Sequence, residues 1–352
     1  MKLIRRGSSS EKTFALSVVI PTTGKSPHLR GLLERLQLQV TEFQFEVLVV
    51  ANIPSQALRK LVNSMGAHGH GTFDYLETGR LGVNLARNKG LERAHAPIVL
   101  FLDDDAILDD DGFLAAHRIR HDEHPDAVAI GGPYHLTQKA SVLDRAYHEI
   151  AHDWLHRHTM SENRTTQLLG GNMSLKKDEL KRECWTFDEA ISFGGAETGL
   201  CLRISNAGRA MYFFDSLSIG HAPDLTIAVL RKKAFLQGAG ASWRAREIPA
   251  PLFRYTNEFA AARTNADRKI QRAQNLYRAC FEFGWASSPF SVPQRNSPPK
   301  FNLLSFHAFL LGRQTPLRFL RRLHRRTYAS VRTAWINGAK SRPLSTRPKT
   351  AR

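Results

Sequence analysis

Hydrophobic positions follow two alternating rhythms over the first two thirds of the chain. Nearly unbroken apolar runs, Leu16-Ser17-Val18-Val19-Ile20-Pro21, Phe45-Glu46-Val47-Leu48-Val49-Val50 and Ile98-Val99-Leu100-Phe101-Leu102, read as strands buried on both faces. In isolation a run as short as the third is also compatible with a helix. Thr72-Phe73-Asp74-Tyr75-Leu76 predicts one more strand. Between these runs the period lengthens. Leu29, Leu32, Leu33 and Leu36 fall at i, i+3, i+4 and i+7, behind Ser26 as an N-cap and Pro27 as a first helical residue. Asn52-Ile53-Pro54-Ser55 turns into a weaker helix around residues 56–65. After Gly79 and Gly82, Ala86, Gly90 and Ala94 line up small residues along one helix, which lets that helix approach a sheet closely. Strands alternating with helices at this spacing predict βαβ units, a parallel sheet and an α/β fold.

The pattern continues less regularly. Asp126-Ala127-Val128-Ala129-Ile130-Gly131-Gly132 predicts a strand running into a glycine turn, and residues 140–160 a helix that carries His148, His152 and His156 at i, i+4 and i+8. That histidine spacing reads either as a zinc site or, without supporting cysteines, as a polar helix face. Gly170-Gly171-Asn172-Met173-Ser174-Leu175 predicts a tight turn into a short strand. Phe187-Asp188-Glu189 and Gly194-Gly195-Ala196-Glu197 form an acidic centre leading into a helix with Leu200, Leu202 and Ile204. Tyr212-Phe213-Phe214 and Ser218-Ile219-Gly220-His221 predict short strands, the second ending on a histidine.

Composition changes this picture in the last third. From Ala222 onward there are 25 Lys+Arg against 5 Asp+Glu, a net of +20, whereas residues 1–221 carry −2. Residues 301–352 contain no acid. Within them Leu317, Leu320 and Leu323 alternate with Arg318, Arg321, Arg322, Arg325 and Arg326. A basic amphipathic pattern of this kind suits an anionic membrane surface, and the same charges would meet a polyanion or simply keep the chain soluble. Nucleic acid is disfavoured as a partner. No apolar run reaches the ~18–20 residues of a membrane span, and the basic N-terminus is followed by no apolar signal region. Three cysteines without metal-type spacing, Cys184, Cys201 and Cys280, fit free thiols. A cytoplasmic location, peripheral on the inner membrane face through the basic tail, is the resulting expectation.

The chemistry gathers at Asp103-Asp104-Asp105, directly after the run 98–102. Open α/β sheets bind ligands at the carboxyl ends of their strands, and adjacent carboxylates stay ionised together most readily around a divalent cation. The alternative is a solvated acidic turn continued by Asp109, Asp110 and Asp111. Neither a G-x-G-x-x-G after the first strand nor a G-x-x-x-x-G-K-[ST] occurs, which disfavours dinucleotide and P-loop sites.

Eight stretches, taken in order, resemble glycosyltransferase family 2 with its GT-A fold. They are Val18-Val19-Ile20-Pro21-Thr22, Glu46-Val47-Leu48-Val49-Val50, Ala86-Arg87-Asn88-Lys89-Gly90, Phe101-Leu102-Asp103-Asp104-Asp105, Gly170-Gly171-Asn172-Met173-Ser174, Phe187-Asp188-Glu189, Gly195-Ala196-Glu197 and His221. The resemblance implies a nucleotide-diphospho-sugar transferase with a Rossmann-like mixed sheet. Residues 1–13 are then a tail, and 14–225 the catalytic domain, with a nucleotide-sugar half 14–110 and an acceptor half 111–225. Residues 226–352 are a basic, mainly helical extension, with disorder after 340 as its alternative ending.

Carried over residue by residue, the resemblance gives Asp105 and His221 to the metal, Mn²⁺ or Mg²⁺, as a DXD-type site. Asp104 goes to the donor ribose, with Asp103 nearby. Pro21, Thr22, Thr23, Asn52 and Arg87 line the nucleotide, Gly171, Asn172 and Gly195 frame the acceptor side, and Glu197 serves as the base. The implied partners are a nucleotide-diphosphate sugar and an acceptor hydroxyl, on a polysaccharide, a lipid or a secondary metabolite, and the implied reaction is inverting transfer. The chain departs from the family at Thr23, where an aromatic residue is frequent, at Ala51, where an aspartate is, and at Thr198, where a second acid follows the glutamate. The alternative is a catalytically degenerate protein that binds nucleotide sugars or polyanions.

Overall fold

The structure, a computed structural model, describes residues 13–66, 70–191, 195–247 and 265–287. The long apolar runs become strands and the i, i+3, i+4 patterns become helices. The first half contains β1 (Leu16–Thr22), α1 (Leu29–Gln37), β2 (Phe45–Ala51), α2 (Gln56–Met65), β3 (Gly71–Glu77), α3 (Val83–Arg93) and β4 (Ile98–Leu102). The second begins with β5 (Ala106–Ile107), α4 (Phe113–Glu123), β6 (Ala127–Gly131), β7 (Tyr134–Leu136) and α5 (Val142–His156). It continues through β8 (Asn172–Lys176), α6 (Lys177–Arg182), α7 (Thr198–Asn206), β9 (Ala210–Phe213) and β10 (Ile219–His221). The helices α8 (Ile227–Glu247) and α9 (Asn265–Ser287) follow.

Seven strands form one sheet in the order β3-β2-β1-β4-β8-β6-β9, and β5-β10-β7 form a small second sheet. β1 to β4 are parallel, as the alternation predicts. β8 enters antiparallel to both β4 and β6, so the sheet is mixed rather than wholly parallel. The chain runs outward from β1 through β2 to β3, then returns across β1 to β4. Strand order therefore reverses between β1 and β4, which opens a crevice at their carboxyl ends.

Residues alternate between the two faces along each strand. Val18, Ile20, Val47, Val49, Leu100 and Leu102 pack with Leu29, Leu33, Leu36 of α1, Val62 of α2 and Leu114 of α4. Val19, Leu48, Val50, Val99 and Phe101 pack on the opposite face with Ala86 and Leu91 of α3 and Leu200 and Ile204 of α7. The small-residue ridge of α3 does what its spacing implies, because a Cβ at Gly90 would lie 2.3 Å from Cγ1 of Val19.

Two local expectations are corrected. The α1 N-cap is His28 without a side-chain hydrogen bond, not Ser26. The Ser26 hydroxyl instead donates to the carbonyl of Asp104 at 2.8 Å, a contact across 78 residues that no local rule reveals. The predicted helix 140–160 is shorter, Val142–His156, and starts at a capping box in which Ser141 and Asp144 serve each other's backbone N–H.

The described residues up to Trp285 form one compact unit. Gln237 of α8 donates to Tyr147 of α5 at 3.0 Å, Gln274 of α9 donates to Glu149 of α5 at 2.7 Å, and the Tyr277 hydroxyl donates to Gln237. Among the described residues no helix is long and apolar enough to cross a membrane. The basic stretch 301–352 lies outside the described residues.

Candidate active site

The three aspartates occupy the turn after β4, at the mouth of the crevice, and each is held by a different partner. Asp103 accepts from Nη2 of Arg87 and from the Tyr134 hydroxyl, both at 3.1 Å. Asp104 accepts from the hydroxyl of Thr22 at the end of β1. Burial pushes the Asp104 carboxyl up to about 6, helped by repulsion from Asp105 and Asp103 and opposed by the Thr22 bond. Asp105 lies with Oδ2 3.3 Å from Nε2 of His221, 116 residues away in sequence. Burial raises its carboxyl, but the His221 ring and the Lys233 ammonium outweigh that and hold it below the usual range.

This last approach follows from the small sheet. β10 runs antiparallel to β5, with His221 opposite Ala106, the residue after Asp105. Tyr134 stacks on the His221 ring at 4.4 Å and 21°, which ties the ring that faces Asp105 to the hydroxyl that holds Asp103. Burial among carboxylates pushes the Tyr134 phenol well above its ordinary value, so it remains a donor at neutral pH.

Arg87 is buried on α3 and reaches two acids. Its Nη2 bonds Asp103, and Nη1 lies 3.7 Å from Oε2 of Glu197. Its guanidinium also sits 5.5 Å from the centre of the Phe187 ring. The aspartate turn and the second acidic centre, 94 residues apart, thus meet on one guanidinium. Gly171 makes room for this, since a Cβ there would fall 2.2 Å from Cγ of Asp103 and 2.3 Å from the Tyr134 oxygen.

The other sequence-predicted site residues scatter in role. Pro21 and Thr22 are buried at the end of β1, while Thr23 is exposed beside them. Asn52 is buried, with its amide directed to the carbonyl of Gly82 at 3.0 Å, so it pins the loop that enters α3. Asn172 is fully buried, and its amide donates to the Leu217 carbonyl at 2.7 Å while its oxygen faces Nε2 of His117 at 3.3 Å. That side chain braces β8 inside the core. Gly195 takes a left-handed conformation, φ 58°, two residues before Glu197; Gly194 lies outside the described residues.

His152 and His156 bring their Nε2 atoms to 2.9 Å on the exposed face of α5. Among the described residues no group of three or more His, Cys, Asp or Glu is placed to hold a metal ion. Sequence reasoning did not identify Tyr134, Lys233, Trp243 or Arg244. Gly131-Gly132-Pro133 just before Tyr134, and Trp243-Arg244 at the end of the small-residue stretch Gly238-Ala239-Gly240-Ala241, are the only local hints.

Residues 17–180 match the model of glycosyl transferase family 2. No curated protein matches the chain in sequence. Among solved structures, the mannosyltransferase PcManGT from Pyrobaculum calidifontis, in complex with GDP-Man and Mn²⁺, is similar with TM-score 0.53 and 17% identity. That likeness covers 92% of this chain and 88% of that one. TarS from S. aureus, residues 1–349 in complex with UDP-GlcNAc, gives TM-score 0.48 and 15% identity over 78% of this chain and 83% of that one. The family match contains Arg87, the three aspartates and Gly171, and it ends before Glu197 and His221. The family match and the likeness to PcManGT fall on the same mixed sheet, whose fold is of GT-A type.

Proposed function

We propose that this protein is a glycosyltransferase that moves a sugar from a nucleotide-diphosphate donor to an acceptor hydroxyl with inversion, and that the donor lies in the crevice between β1 and β4. The observation that carries the reading is the 3.3 Å approach of His221 to Asp105 at that crevice. One carboxylate oxygen and one imidazole nitrogen suit Mn²⁺ or Mg²⁺. Asp105 and His221 would be the chain's own ligands to that cation. When bound, such a cation neutralises the charge that grows on the leaving diphosphate.

The chain's own residues supply the rest. Asp104, steadied by Thr22 and Ser26, faces the donor ribose, and Arg87 bonds Asp103 and lies beside Glu197. Glu197 takes the proton of the acceptor hydroxyl as its oxygen attacks the anomeric carbon and the diphosphate leaves from the opposite face, much as one carboxylate activates water in inverting glycosidases. The acceptor is a polysaccharide, a lipid or a secondary metabolite. The basic tail holds the enzyme to the cytoplasmic face of an anionic membrane.

A panel of nucleotide sugars, assayed for donor turnover with Mn²⁺ and with chelator, tests the proposal. Turnover is expected to need the cation and to vanish in Asp105→Ala. Glu197→Gln is expected to lower kcat by ~10²–10⁴-fold, the contribution of a general base. Unchanged turnover in Glu197→Gln would overturn the assigned base. Tight nucleotide binding without any turnover would leave a degenerate binding protein.

A further inference from the structure

Glu197 sits at the end of a loop that is gripped from two sides. On the α3 side, the Asn84 amide donates to the carbonyls of Asp188 at 2.7 Å and Ala196 at 3.1 Å. Asn88 bonds both the carbonyl and the N–H of Phe187 at 2.9 Å. On the other side stands α8, from the part of the chain whose sequence reads as a basic extension. The Trp243 indole N–H donates to Oδ2 of Asp188 at 3.1 Å, and Nη1 of Arg244 donates to the Gly195 carbonyl at 2.7 Å.

Three features make this grip specific. The two bonds hold the loop at points seven residues apart, and Glu197 follows two residues after the second. Arg244 is 5% exposed, so its side chain reaches inward rather than into solvent. A Cβ at Gly195 would stand 3.0 Å from Nη2 of Arg244, so the left-handed turn and the guanidinium are fitted to each other. Burial lowers the Arg244 guanidinium to about 10, against the pull of Glu197 and Asp188, and it remains charged at neutral pH. Lys233 lies eleven residues earlier, about 20° around the helix, with its ammonium 4.6 Å from the centre of the Tyr147 ring of α5.

We infer that Trp243 and Arg244 are positioning residues for Glu197, and that α8 belongs to the catalytic unit. They fix the loop on which the Glu197 carboxylate stands beside Arg87. The inference rests on the reading of Glu197 as the base. Trp243→Phe removes one hydrogen bond and keeps the packing, and Arg244→Lys keeps charge without the fork. Each is expected to lower kcat by ~10–100-fold, the cost of a misplaced catalytic group, with donor KM and the thermal shift given by nucleoside diphosphate and Mn²⁺ unchanged. Amide exchange is expected to quicken in residues 187–191 and 195–198 and not in β1 or β4. Variants that turn over donor like the parent, or whose kcat and KM move together with a falling melting temperature, overturn the inference while the proposed function stands. A parent protein that turns over no donor removes the proposed function first, and this inference with it.

Discussion

Three neighbouring carboxylates would repel one another on a plain turn, and here each is drawn toward a separate partner. Thr22 holds Asp104, His221 faces Asp105, and Arg87 with Tyr134 holds Asp103. This division depends on one missing side chain. Gly171→Ala would drive a methyl into Asp103 and Tyr134, with an expected cost of ~1–3 kcal/mol for overpacking and a raised donor KM. Denaturant melts and donor titrations of the same protein check both. A second residue-scale consequence lies behind the site. Burial lowers His117 to about 4 and His121 to about 3, where both share the hydroxyl of Ser174 at 2.9 Å. Between those values and the unfolded 6.5, the unfolded chain binds more protons than the folded one, so stability rises with pH through that window. It is expected to be fully present above pH 6.5 and to drain away as pH falls toward 4, with a slope of up to ~1.4 kcal/mol per pH unit for each histidine. His121→Gln should flatten the slope, and urea melts from pH 7 to pH 4 measure it.

At the scale of elements, α3 and the turn after β4 determine where charge is placed. α3 lies close enough to β1 to aim Arg87 at both acidic centres because Gly90 has no Cβ to meet Val19. Gly90→Ala is expected to destabilise by ~1–3 kcal/mol and to lower donor turnover as Arg87 is lifted, and Val19→Ala in the same chain should restore part of both. A double-mutant cycle reads that coupling. Much of this was legible in the sequence: the apolar runs of β1, β2 and β4, the small-residue ridge of α3 and the acids at a strand's carboxyl end all follow from local pattern. What was not legible is long-range. The antiparallel entry of β8 depends on the path of its connection, β5 is two residues long and carries no periodicity, and Ser26 reads as a cap until the fold brings it to Asp104. Trp243 and Arg244 are invisible for the same reason, because a hydrogen bond to a loop 49 or 55 residues earlier leaves no mark on the hydrophobic pattern.

At the scale of the whole molecule, charge separates along the chain, with a nearly neutral body and a basic final third. If attachment resides in that excess, removal of residues 301–352 is expected to abolish sedimentation with anionic vesicles and to leave donor turnover intact. The same vesicles at high salt should release the full chain. The proposed function rests on the pairing of β5 with β10, which brings Asp105 and His221 together across 116 residues of sequence. The most direct measurement is thermal unfolding with nucleoside diphosphates, with and without Mn²⁺, on the parent protein and Asp105→Asn. At ~100 times its dissociation constant a ligand adds ~2.7 kcal/mol. That stabilisation is expected in the parent only when nucleotide and cation are both present, and none is expected in Asp105→Asn. Equal stabilisation of both proteins, or a shift in the parent that ignores the cation, would contradict it.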